Sequence, residues 1–247
     1  MPIRFEHCTF GYSNRRDVIT DLSLELPEGC TVLLGPNGAG KSTLLSLAAS
    51  VRHPKAGRVS YRHLDPARGR KLADYRRRVG WMPQDITAVP GLKVREQAAY
   101  AAWLKGISRR ESWDRSLGAL RMVRLSDLAD RPARTLSGGQ LRRLGIAQAL
   151  VHGCEVVLMD EPTAGLDPVQ RAGFRELMAE LNGTVHCVVS THQTEDLDAV
   201  YDSTIVLEGG QVRYQGSTAD FLAYAGQHTA PERRAEAAYL QFVAREA

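Results

Sequence analysis

Gly35, Pro36, Asn37, Gly38, Ala39, Gly40, Lys41, Ser42 and Thr43 run consecutively, with two glycines at fixed spacing before a lysine and two hydroxyls. Residues of these types, so spaced, do phosphate chemistry. The glycines let backbone N–H groups close around an anion, the lysine reaches the outer phosphates, and the first hydroxyl ligates a divalent cation. The flanks supply the backbone that this needs. Cys30 to Leu34 is a short apolar run that reads as a buried strand, and Ser42 to Ala49 reads as an apolar helix. The expectation is a nucleoside triphosphate site, with Lys41 on the β- and γ-phosphates, Ser42 on Mg²⁺ and Thr43 close by.

A second cluster narrows the chemistry. Val156 to Glu161 is four apolar residues ending in two acids. That pattern describes a buried parallel strand delivering carboxylates to its C-terminal edge, beside the phosphates. Asp160 is expected to hold Mg²⁺ through water, and Glu161 to face the attacking water as general base.

The elements that must position these groups follow from hydrophobic periodicity. Residues 3–10 alternate as an edge strand, and residues 18–26 alternate again before the turn at Pro27-Glu28-Gly29. Two antiparallel-type strands therefore precede the phosphate loop. Arg58 to Tyr61 resumes a strand, while Tyr75 to Arg78 reads only as basic and polar. From residue 85 to about 152 the composition turns helical, with capping-box spacing at Ser108–Glu111 and an apolar row at Trp113, Leu117 and Leu120. Asp167-Pro168 is an N-cap with proline at the first helical position, followed by a stripe at Phe174, Leu177, Met178 and Leu181. Val185 to Val189 is another buried strand. Ser203–Leu207 and Gln211–Gln215 flank Gly209-Gly210 as a hairpin. Strands alternating with helices give an α/β fold with a parallel sheet, interrupted by a helical insertion. From Pro231 onward a helix places Ala235, Ala238, Tyr239 and Phe242 on one face, expected to pack on the chain's own domain.

Bulk properties agree with a soluble globular chain. Its 247 residues are 43% hydrophobic and 24% charged, with a formal net charge of +4. That excess is too mild to argue for nucleic acid. No apolar run approaches the roughly 18 residues of a membrane helix, and the N-terminus lacks a signal-peptide core. The four cysteines are scattered and read as reduced core residues.

Leu136-Ser137-Gly138-Gly139-Gln140 then precedes a helical run. Ser137 is an N-cap, and two glycines leave the first N–H groups uncovered, which makes a second anion site. With this stretch the chain resembles the nucleotide-binding subunit of an ATP-binding cassette (ABC) transporter, from residue 3 to about 216. The resemblance implies a RecA-like P-loop NTPase sheet core with an N-terminal antiparallel β lobe. It divides the chain into a core of residues 1–84 and 153–216, a helical subdomain of 85–152, and a tail of 217–247. Tyr12 falls at the adenine-stacking aromatic, residues 35–43 at the Walker A loop, and Gln84 at the Q-loop beside Mg²⁺. Residues 136–140 carry the signature, and Asp160 and Glu161 fall at Walker B. Asp167 falls in the D-loop and His192 at the switch histidine. Family members pair head-to-tail on two ATP molecules, so Ser137, Gly138, Gly139, Gln140 and Asp167 join the ATP-binding set. The same resemblance assigns hydrolysis to Glu161, His192, Lys41 and Gln84.

It further implies a peripheral subunit on the cytoplasmic side of a membrane, working as a homodimer or heterodimer with a separate permease. Residues 82–97 and the run after the signature look most like exporters; an importer is the alternative. A soluble cassette ATPase of repair or ribosomes fits less well, since neither a coiled-coil or zinc insertion nor a second cassette is present. Intact Glu161 and His192 argue against a non-catalytic module.

Overall fold

The computed structural model describes residues 3–13, 16–67, 69–197, 200–226 and 229–243. In chain order its elements are β1 (Ile3–Phe10), β2 (Ile19–Leu26), β3 (Cys30–Leu34), α1 (Lys41–Ala48), β4 (Ala56–Tyr61) and α2 (Gly69–Arg78). Next come β5 (Val79–Met82), α3 (Val94–Leu104), α4 (Arg109–Met122), α5 (Gly138–Leu150), β6 (Val156–Asp160) and α6 (Pro168–Leu181). The chain closes with β7 (His186–Thr191), β8 (Ser203–Glu208), β9 (Gln211–Ser217), α7 (Thr218–Ala223) and α8 (Arg234–Tyr239).

Two sheets form. A three-stranded antiparallel sheet has the order β2-β1-β4, and a six-stranded sheet has the order β5-β6-β7-β3-β8-β9. The second is parallel except for the β8–β9 hairpin. All five residues of β3 and of β6 are buried, as expected of strands covered on both faces. Alternate residues serve opposite cores. Val32, Leu34, Val157 and Met159 face the helical insertion and α6. Leu33, Val156, Leu158 and Val188 face α1 and the antiparallel lobe.

Several expectations need correction. β1 is the central strand of its sheet, not an edge, because β4 returns to pair with its free side. Residues 75–78, read as merely basic and polar, close α2, and their three arginines sit in its last turn, where cations suit the helix dipole. The row Trp113, Leu117, Leu120 departs from the core only at Trp113; Leu120 is buried and Leu117 packs against the core. Trp113 is 42% exposed, with the Arg95 guanidinium 4.0 Å from its ring centroid. Ser112, Ser116, Ala119 and Leu120 face inward, since small residues let α3 and α4 lie close. Other expectations hold. Ser108 caps α4, accepting from the Glu111 N–H, and Asp167 caps α6, accepting from the Gln170 N–H. The stripe Phe174, Leu177, Met178 and Leu181 is buried, and all four cysteines are buried and free. The tail packs at home: Phe242 lies against Tyr214, Phe221 and Tyr224. Its last residues, 244–247, lie outside the described residues.

The two sheets meet along a seam. Gln211 and Gln215 of β9 donate side-chain amides to the carbonyls of Thr20 and Glu25 on β2, at 3.1 and 2.8 Å. At the far end of α5, His152 is buried with neither ring nitrogen partnered by a described residue. Burial, reinforced by Lys105 and Arg115, pushes its pKa down to about 3. The unfolded chain takes up a proton near pH 6.5 while the folded chain does not, so stability is full above that pH and falls as pH drops towards 3. Between pH 7 and pH 5 the wild type should lose about 2 kcal/mol more than a His152→Met variant, measured by urea denaturation at both pH values. Equal losses in the two proteins would mean that His152 is not buried as a neutral group.

Candidate functional site

Four parallel strands end in register along one edge of the large sheet. Pairing places Asp160 opposite Ser190 and Leu34 opposite Thr191, with Met82 opposite Met159. The residues just past those ends therefore converge: Gln84 after β5, Glu161 after β6, His192 after β7 and the glycine loop after β3. Open α/β sheets bind ligands at this edge.

The loop holds its shape through close backbone approaches. A side chain at Gly35 would put its Cβ 2.3 Å from the carbonyl oxygen of Leu207. Gly40, the N-cap of α1, sits at φ 101°, where only glycine is comfortable. The cleft that results holds about 300 Å³ and is lined by Tyr12, Val18, Gln84, Glu161 and residues 37–43. Lys41 is buried and donates to the carbonyls of Gly35 and Pro36 at 2.7 and 3.1 Å. Burial lowers its pKa, while Glu161 and Asp160 pull the other way.

Glu161 is the point of convergence. Its Oε1 accepts from His192 Nδ1 at 3.0 Å and its Oε2 from Gln84 Nε2 at 3.3 Å, with Lys41 Nζ 4.0 Å away. Its backbone lies in the left-handed region at φ 47°, a conformation that costs a non-glycine residue on the order of 1–3 kcal/mol. Ser190, fully buried, anchors both acids. Its hydroxyl donates to Asp160 Oδ1 at 2.6 Å and accepts from the Glu161 N–H at 3.0 Å. Burial raises the pKa of Asp160, against hydrogen bonds from Ser190 and Ser42.

Those donors fit a magnesium ion. Mg²⁺ is held by one or two carboxylates, water and substrate phosphates rather than by a protein cage. Asp160 and the Ser42 hydroxyl supply that sparse set, and Gln84 lies beside them. Among the described residues there is no group of three His, Cys, Asp or Glu that could form a cage.

Tyr12 is 58% exposed at the cleft, with its hydroxyl 3.0 Å from Thr43 Oγ1 and the Arg52 guanidinium 4.5 Å from its ring centroid. Not every expected residue is here. Ser137, Gly138, Gly139 and Gln140 begin α5, away from the cleft, where Ser137 and Gln140 form a reciprocal capping box. The Asp167 carboxylate is spent capping α6, accepting from the Gln170 N–H at 2.8 Å.

A family model described as ABC transporter matches residues 19–164, more than half of the chain. The chain belongs to the ABC transporter family. It is an ABC ATPase, the ATP-binding subunit of a transporter. The cassette is 39% identical to the cobalt import ATP-binding protein CbiO of Rhodobacter capsulatus, over 88% of this chain and 79% of that protein. It is 38% identical to the molybdenum import ATP-binding protein ModC of Mycobacterium tuberculosis, over 82% of this chain and 56% of ModC, so it spans little more than half of that relative. Among solved structures, a dimeric bacterial ABC transporter cassette superposes with a TM-score of 0.78 at 26% identity, covering 87% of this chain and 98% of that one. The same cassette is also solved in a post-hydrolysis state bound to ADP and Pi. The expected fold, an α/β P-loop NTPase core with an antiparallel lobe, stands.

Four residues of this region escaped the sequence reading. Val18 lines the cleft beside Gly40, and nothing in its strand-like run sets it apart. Ser190 reaches both acids through strand register, and Arg142 donates to the Glu161 carbonyl from α5. Gln97 is a buried glutamine inside an amphipathic helix, which is itself a legible signal. It accepts from the Val89 N–H at 2.8 Å and donates to the Thr87 carbonyl at 3.0 Å, pinning the loop after Gln84.

Replacing Tyr12 with Ala should raise KM for ATP about threefold to tenfold, the worth of an aromatic contact of about 0.5–1.5 kcal/mol. Tyr12→Phe keeps the ring and loses only the Thr43 contact, so its KM should stay near wild type. Steady-state ATPase assays on both variants make the comparison. An unchanged KM for Tyr12→Ala would remove the ring from the nucleotide site.

Proposed function

We propose that this cassette binds ATP with Mg²⁺ in the cleft at the strand ends and hydrolyses it with Glu161 as general base. The energy drives import through a separate membrane permease. The convergence of His192, Gln84 and Lys41 on the Glu161 carboxylate carries the catalytic part. In this reading Glu161 takes the proton of the water that attacks the γ-phosphate. His192 and Gln84 hold the carboxylate in place, and Lys41 sets positive charge against the phosphates once it leaves the loop carbonyls. Asp160 and Ser42 would hold Mg²⁺, which supplies charge neutralisation at the phosphates. Tyr12 stacks on the adenine.

The signature residues work in a second copy. A Cβ at Gly139 would collide with the Gln170 side chain at 2.2 Å, whereas one at Gly138 would meet nothing within 4 Å. The flexible end of Gln170 can move aside, so neither glycine has a firm internal reason to be glycine. What supports an external one is the dimeric form of the solved relative: Ser137, Gly138 and Gly139 of one copy approach ATP held by the other, with Gln140 and Asp167 beside them.

We further take residues 1–84 and 153–216 as the nucleotide-binding core, 85–152 as the helical subdomain and 217–247 as the tail. The cassette sits peripherally on the cytoplasmic side. Among the described residues no helix is long and apolar enough to cross a membrane, and in this reading the pathway lies in the permease. Val89 and Leu92, half-buried on the loop that Gln97 pins, receive the permease. Import replaces the export expected from sequence. It is supported by relatives named for cobalt import and molybdenum import and, at 35% identity, arginine transport in Haemophilus influenzae. Vesicles carrying the cassette and its permease, given ATP on the cassette side, test direction. Cobalt(II), molybdate or arginine should move towards the cassette, and movement only the other way would overturn import.

Glu161→Gln should lower kcat at least about hundredfold, the scale of a lost general base, with ATP binding kept. More dimer should then appear with ATP and Mg²⁺ in size-exclusion chromatography. A wild-type rate would remove Glu161 as the base. Val89→Asp and Leu92→Asp should leave the isolated subunit folded with basal ATPase activity, yet abolish co-purification with the permease. Unfolding of both would make these residues core.

A further inference from the structure

Arg142 lies five residues after Ser137 on α5, and its guanidinium reaches the end of β6. Its Nη1 donates to the backbone carbonyl of Glu161. Glu161 is the one non-glycine residue of the cleft with positive φ among those described. Its two flanking peptides are both pinned. On the N-terminal side its N–H meets the hydroxyl and carbonyl of Ser190, at 3.0 and 3.2 Å. On the C-terminal side its carbonyl accepts from Arg142 and, at 3.2 Å, from the Ala164 N–H. The Ser190 anchor belongs to the core sheet, and the Arg142 anchor comes from the signature helix. Glu161, Asp85 and Asp160 all face the guanidinium, and their charges oppose the effect of its partial burial.

A residue held against its preferred backbone conformation moves if either anchor is cut. Without Arg142 the Glu161 carbonyl keeps only the neutral Ala164 N–H, so the peptide after it can rotate towards the ordinary right-handed region, and the Cα–Cβ bond turns with it. The carboxylate then leaves its contacts with His192 and Gln84. A shift of about 1 Å in a reacting group costs on the order of 10²-fold in rate. We propose that Arg142 is a positioning residue for hydrolysis. From the helix that starts at Ser137, it holds the Glu161 peptide in its left-handed conformation and so aligns the carboxylate. The proposal rests on Glu161 being the general base. It also ties the base in one cleft to the helix start that, in the dimer reading, meets the other ATP.

The test uses the full chain and five proteins: wild type, Arg142→Met, Arg142→Lys, Glu161→Gln and the double variant Arg142→Met with Glu161→Gln. For each, kcat and KM for ATP are measured alongside the melting temperature. Arg142→Met should lose about tenfold to hundredfold in kcat with KM within about twofold of wild type. Arg142→Lys, whose ammonium still donates, should recover much of that loss. The double variant should be no slower than Glu161→Gln alone, because Arg142 acts only through Glu161. A merely structural tie between helix and core would give a lower melting temperature or a raised KM with kcat kept, and that result overturns the proposal. A double variant slower by the product of the two single losses would overturn it as well. Wild-type activity in Glu161→Gln would instead overturn the base assignment, whatever Arg142 does. Should Arg142→Met fail to fold, Arg142→Gln is short of the carbonyl and serves in its place; a wild-type kcat there counts against the proposal.

Discussion

Ser190 is the residue on which the rest of the site depends. It is fully buried on β7, opposite Asp160 on β6, and its one hydroxyl serves both acids. Replacing it with an apolar group would take one hydrogen bond from each, leaving the Glu161 N–H with the Ser190 carbonyl and Asp160 with Ser42, at about 0.5–1.5 kcal/mol per bond. Strand pairing puts the hydroxyl there, so the chemistry of the cleft is fixed first by the register of two buried strands. The glycine loop then brings Lys41 in from the next strand over.

The cleft concentrates charge that would not persist alone. Lys41, Asp160 and Glu161 are all at most 9% exposed, and burial disfavours the charged forms of Lys41 and Asp160. Proximity offsets part of that cost, since Lys41 lies 4.0 Å from Glu161. Two buried acids against one buried lysine leave a surplus of negative charge at the place where a magnesium ion fits.

Sequence made the glycine loop, the strand-end acids and the helix caps legible because each rests on local rules. Glycine torsions, two-fold alternation and capping oxygens act within five residues. The misses have a common cause: they depend on which strand or helix arrives beside which. β1 alternates as an edge strand does, and only the return of β4 makes it central. Trp113 has the spacing of a core residue, but Arg95 from another helix covers it at the surface. Ser190 and Arg142 look ordinary in the chain and acquire their roles through register and crossing. The direction of transport was not legible for a different reason, because the expectation of export came from general likeness rather than from any residue with a directional role.

The seam between β9 and β2 has a consequence for how copies of this chain associate. A sheet edge with free N–H and C=O groups invites another chain to add a strand. Here Gln211 and Gln215 occupy the β2 carbonyls at Thr20 and Glu25, so each sheet shields an edge of the other. At the opposite edge of the large sheet, β5 is only four residues long, and Lys105 takes the carbonyl of Val79. β4, the remaining edge, is six residues long and carries Arg58 paired across the sheet to Glu6. Edge-to-edge growth into ribbons is thereby discouraged at the backbone level. Association between copies is left to side-chain surfaces, which can come apart again.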